Sequence, residues 1–148
     1  MNGYGFSVLI ALLTGFLSVA QGAINVSIGR GHGQYVMIMG VSLVQILAAA
    51  LLLRIFGSPQ PAASWFHPGM IVSGLLGVGI MFGISRATAE AGALPVFVAA
   101  VAGQIAVSAA MDHWGLMGLP RSPFTLQKLG SVLVIAAGIY WLFKSQPS

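Results

Sequence analysis

The chain is 148 residues long, 57% hydrophobic and only 5% charged, with a mean hydropathy of +0.95. A soluble domain carries about 25% charged residues, and eight charges, six basic and two acidic, cannot coat a 15.3 kDa globule or keep a chain disordered. The absence of Cys removes a disulfide scaffold, thiol nucleophiles and thiolate metal sites. The net charge of +4 is scattered, without the basic stripe that nucleic-acid binding requires. These exclusions leave an integral membrane protein.

Five stretches are long and apolar enough for helical spans: residues 4–28, 35–56, 68–85, 92–111 and 126–143. The charged residues fall at their ends or beyond, as expected when a charge at mid-bilayer costs at least about 2.5 kcal/mol. The stretches are apolar all round, so a β-barrel, with its alternating strands, is excluded. The predicted architecture is one all-α membrane domain of five spans, residues 1–148. Ser18-Val19-Ala20 resembles a leader cleavage site, but no Lys or Arg precedes the apolar run, so the first span is expected to be retained.

The connections follow in chain order. Gly29-Arg30-Gly31-His32-Gly33 reads as a glycine-rich loop, and Ser58-Pro59-Gln60-Pro61 opens a longer one. Trp65 and Phe66 close that loop as interfacial anchors, a role that Tyr140 and Trp141 take on the last span. Arg86 to Ala91 reads as a short polar break, with Glu90 near Arg86. Gly115 to Pro123 is a Gly/Pro-rich loop. With five spans, one side of the membrane holds Arg54, Arg121 and Lys128, and the other holds Arg30, Arg86 and Lys144. Lys and Arg excess sets orientation, and here it is balanced. The expectation is dual topology, with copies inserted both ways and paired antiparallel; the alternative is a single orientation set by other features.

Neutral polar residues carry the remaining information. Thr14, Ser18, Gln21 and Asn25 follow one another at spacings of 4, 3 and 4, one face of a helix. Gln104, Ser108 and Asp112 repeat the pattern in the fourth span, and Ser42 and Gln45 share a face of the second. An amide facing lipid is unsatisfied, so these residues serve either as interhelical glue or as a lining for a polar ligand. Asp112 stands at the unfavourable end of a helix dipole. It is expected to lock the following loop through His113, Arg121 or loop N–H groups, with proton coupling as the alternative. Small residues in the third span (Gly69, Ser73, Gly77; Gly79, Gly83) and Ser131 and Gly138 in the fifth suit a tight bundle and a dimer face. His32 and His67 read as solvated loop residues, and three scattered His make no metal-site spacing. No nucleophile motif, paired carboxylates or phosphate loop is present, so neither an enzyme nor a cofactor is expected.

Gln21-Gly22-Ala23-Ile24-Asn25 followed by Gly29-Arg30 resembles the YdcZ-like family of the drug/metabolite transporter superfamily. So does Gly103-Gln104 with Ser108 and Asp112-His113-Trp114-Gly115-Leu116-Met117-Gly118-Leu119-Pro120, the most specific part. The resemblance covers nearly the whole chain. It implies a five-span inner-membrane transporter, half the size of ten-span relatives, assembled as an antiparallel pair of identical or related chains. Gln45 departs from the family, which more often has glycine there. Four-span small multidrug transporters look similar but carry a glutamate in the first span, where this chain has Gln21 and no acid. The expected function is alternating-access movement of a small polar or amphipathic solute. Its cavity is expected at a dimer interface lined by Gln21, Asn25, Gln104 and Ser108, with Gln45 and Ser18. The competing expectation is a non-transporting membrane interaction subunit, or one half of a heterodimer. Membrane lipid, a second five-helix chain and the solute are the expected partners.

Overall fold

Inside a bilayer the backbone has no water to bond, so an apolar segment closes its hydrogen bonds on itself and becomes a helix. A computed structural model describes residues 3–57 and 67–145. Among the described residues it contains α1 (Gly3–His32), α2 (Gln34–Phe56), α3 (Gly69–Ala91), α4 (Ala93–Trp114), a short 3-10 turn (Leu116–Gly118) and α5 (Leu126–Lys144). All five α-helices are long and apolar enough to cross a membrane. The Ser58-Pro59-Gln60-Pro61 turn and the Trp65 and Phe66 anchors expected from the sequence lie outside the described residues. The chain divides into two compact units, Met1–Glu90 and Ala91–Ser148.

Three boundaries differ from the sequence expectation. The glycine-rich stretch Gly29 to Gly33 is not a loop: α1 runs through His32, and Gly33 alone separates it from α2. The Gly33 N–H donates to the Gly29 carbonyl at 3.0 Å, and its own carbonyl accepts from Met37 at 3.0 Å. Both helices therefore keep their bonding up to the junction. Gly33 does this at φ 90°, ψ 146°, a region nearly closed to residues with a Cβ. Gly92 makes the same one-residue junction between α3 and α4, at φ 85°, ψ 165°. The second difference is the polar break Arg86 to Ala91, which is helical to Ala91. Arg86 and Glu90 pair one turn apart, a spacing that only a helix supplies. Both are more than half exposed, so the pair adds little stability. The third is α4, which reaches Trp114 and stops at Gly115 in the left-handed conformation (φ 63°, ψ 39°), whose N–H bonds the Met111 carbonyl.

In the first unit α1 and α2 form an antiparallel hairpin. One groove along the two helices is lined by Gln21, Ile28 and His32 of α1 and by Val36, Gly40, Val44 and Gln45 of α2. The C-terminal part of α3 is tied to this hairpin by side chains. Gln34 Nε2 donates to the Phe82 carbonyl at 2.9 Å, and Arg30 donates to the Ala89 carbonyl at 3.1 Å. Tyr35 stacks on Phe82 with ring centroids 6.0 Å apart. In this unit Met37 and Ile38 are buried, as are the polar residues Asn25, Ser85 and Thr88. The glycines of α3 are not closed over in the way a tight bundle would require. A Cβ built on Gly77, Gly79 or Gly83 meets no described atom within 4 Å.

In the second unit α4 packs on α5. Thr125 caps α5, its hydroxyl accepting the Lys128 N–H at 3.3 Å. Thr125→Ala is expected to lower stability by about 1 kcal/mol, the usual worth of a lost N-cap, measurable by denaturant titration of the purified protein.

Candidate functional site

The polar stripe of α1 divides into three kinds of residue. Thr14 and Ser18 turn their hydroxyls onto their own helix, to the carbonyls of Ile10 and Thr14, each at 2.9 Å. A hydroxyl satisfied in this way needs no partner, and Ser18 lines neither groove of this unit. Asn25 is only 5% exposed and also lies outside both grooves. Gln21 is different. It is exposed and lines both grooves.

Gln45 of α2 shares both grooves with Gln21. One, of about 490 Å³, is completed by Ser42 and by the small residues Gly74 and Gly77 of α3. The other, of about 560 Å³, runs along α1 and α2 to His32. Gln45 stands eleven residues from Gln34 and eleven from Phe56, the midpoint of α2. Gln21 stands eleven residues before His32. At about 1.5 Å rise per residue both amides lie roughly 16 Å from the shared α1–α2 end, half the depth of a hydrocarbon core about 30 Å thick. Neither amide makes a hydrogen bond among the described residues. Moving an unbonded amide from water into an alkane-like medium costs about 4–8 kcal/mol. Two such amides at one depth and in one groove mark a place that water, a solute or another protein surface must reach.

Gln104 also stands near mid-helix, eleven residues after Ala93 and ten before Trp114. It and Ser108 are exposed, and neither side chain is hydrogen-bonded among the described residues.

Side chains hold the loop after α4, and of the three residues expected there, His113 and Arg121 take part through their side chains. His113 Nδ1 accepts the Phe124 N–H at 3.0 Å, and Arg121 Nε donates to the His113 carbonyl at 3.3 Å. Asp112 contributes its backbone carbonyl, which accepts the Ser122 N–H at 2.8 Å. Its carboxylate makes no ion pair or hydrogen bond among the described residues, so the expected partners do not bind it. Lys128, not singled out from the sequence for this role, supplies the missing member. Its ammonium donates to the Ser122 carbonyl at 3.1 Å, the Ser122 hydroxyl at 2.6 Å and the Pro123 carbonyl at 3.2 Å. Its place one turn into α5, after the Thr125 cap, was the available clue. Gln34 and Arg30 are the other residues with an unforeseen role, in clamping α3. His67 was expected to be solvated; its Nδ1 accepts the Gly69 N–H at 3.0 Å, at the start of α3. His113→Phe removes the acceptor for Phe124, and a lost neutral hydrogen bond of this kind costs about 1 kcal/mol. Faster hydrogen exchange at the Phe124 amide, with exchange at Gln21 and Gln45 unchanged, is the expected result.

Five apolar helices with polar side chains at mid-depth define a multi-pass membrane protein, and no cluster of metal-ligating residues occurs among the described residues. The family described as "Putative inner membrane exporter, YdcZ" matches residues 6–141. The chain belongs to that family and is a multi-pass protein of the inner membrane. No curated protein and no solved structure gives a match.

Proposed function

We propose that the chain is a secondary transporter that exports a small polar or amphipathic solute by alternating access, with Gln21 and Gln45 as the solute-binding amides. The observation that carries this reading is the pair of unbonded amides at one mid-membrane depth, in a groove with open space beside Gly77. A carboxamide both donates and accepts. It therefore suits a solute with hydroxyl, amide or amine groups better than a bare ion. Substrate sites of inverted-repeat transporters lie near the midplane, and the family description, an exporter, agrees with export.

The assembly in this reading is an antiparallel homodimer. Three basic residues on each side of the spans leave insertion unbiased, and two inverted copies supply the paired repeats that alternating access uses. A second copy would also give partners to the exposed side chains of Gln104 and Ser108. A tag on the C-terminus is expected to react with an impermeant reagent in both intact and inverted vesicles. Labelling from one side alone contradicts the antiparallel assembly, and would favour pairing with a related chain of opposite bias.

A further inference from the structure

The second unit holds a crevice that the transport reading does not use. It has a volume of about 230 Å³ and lies between the C-terminal end of α4 and the start of α5, with Asp112 and Lys128 on its wall. Both charges stand within two residues of a helix end, Trp114 for Asp112 and Leu126 for Lys128. This places the crevice at the membrane boundary. Phe124, Ala109 and Val132 supply its apolar wall.

The two charges share the crevice without pairing with each other. Asp112 is half-buried, and its carboxylate takes no hydrogen bond among the described residues. The neighbouring cations are engaged elsewhere, Arg121 Nε on the His113 carbonyl and Lys128 on Ser122 and Pro123. Lys128 is thus anchored by neutral oxygens alone, and its positive charge meets no anion. A half-buried carboxylate and an ammonium, each uncompensated and held apart, are complementary to a ligand that carries the same two charges in opposite order.

The geometry points to a site for a zwitterionic head group, with the ligand's ammonium on the Asp112 carboxylate and its anionic group balanced by Lys128. A plain cation would be repelled by Lys128 and a plain anion by Asp112. The apolar wall of Phe124, Ala109 and Val132 suits the hydrocarbon that adjoins such a head group. An aminophospholipid of the surrounding bilayer and a free aminophosphate carry this chemistry alike.

The test uses the full chain in detergent, titrated with phosphatidylethanolamine or phosphatidylglycerol of identical acyl chains and read by native mass spectrometry. Phosphatidylethanolamine is expected to bind at least tenfold more tightly. Asp112→Asn, which keeps the side-chain shape and disturbs none of the loop hydrogen bonds, is expected to bring the two lipids within twofold. Asp112→Glu is expected to restore part of the preference. Competition by soluble phosphoethanolamine indicates that the free head group suffices, and its failure to compete indicates an intact lipid; both support the site. Equal affinity for the two lipids in the parent protein overturns it. So does a preference unchanged in Asp112→Asn, or displacement of the lipid by dodecylamine at the same concentration as by phosphatidylethanolamine.

Discussion

Gln21→Leu and Gln45→Leu are each expected to make the protein more stable and less active. Both amides are exposed at mid-membrane depth with no hydrogen bond among the described residues, and an unpartnered polar group that faces an apolar medium costs about 1–3 kcal/mol by mutational measures. Leucine removes that penalty at nearly the same volume, so resistance to unfolding by SDS should rise by about 1–2 kcal/mol. Transport should fall at least tenfold, which corresponds to about 1.4 kcal/mol in the barrier. The sign of the stability change separates the two readings of these residues. Glutamines that glue helices together lose interhelical bonds when replaced, and the variants would then be less stable. Asn25→Leu is the contrasting case. Asn25 is buried and lies outside the two grooves described, so its replacement should act first on packing.

Gly33→Ala is expected to destabilise the first unit by about 1–3 kcal/mol, because its backbone region is nearly restricted to glycine. The single residue Gly33 sets the register of the α1–α2 hairpin, and through it the common depth of Gln21 and Gln45. A loss of solute affinity should therefore accompany the loss of stability. Gly31→Ala is the internal control. Gly31 is helical, and a Cβ there meets nothing within 4 Å. Alanine gains up to about 1 kcal/mol over glycine in a helix, so Gly31→Ala should be neutral or stabilising. SDS titration of the two variants side by side measures both effects.

The five spans were legible because scarcity of charge and length of apolar run are properties of the sequence itself. Their ends were less so. The polar turn Arg86 to Ala91 looks like a break, yet it is helical to Ala91 and carries an i,i+4 ion pair and the clamp from Arg30. In Gly29 to Gly33 five residues have loop-forming composition, and only one has a loop backbone. Side-chain roles within the polar stripe depend on rotation and neighbours, which periodicity does not resolve. Ser18 bonds to its own helix, Asn25 is buried, and Gln21 lines the two grooves described. Gln45 lines the same two grooves as Gln21. In the loop after α4, His113 and Arg121 hold the backbone and Lys128 joins them; the reach of Lys128 back to Ser122 and Pro123 depends on the fold of the loop, which spacing along the chain does not reveal.

On the proposed function, this chain alone moves solutes through a site built on Gln21 and Gln45. Reconstitution of the purified chain into liposomes, with counterflow measured over a panel of small hydroxyl-, amide- and amine-bearing solutes, tests it most directly. Saturable flux is expected for at least one solute in the parent protein, reduced at least tenfold by Gln21→Leu and by Gln45→Leu. Absence of saturable flux with every solute, or flux that both variants leave unchanged, would contradict it.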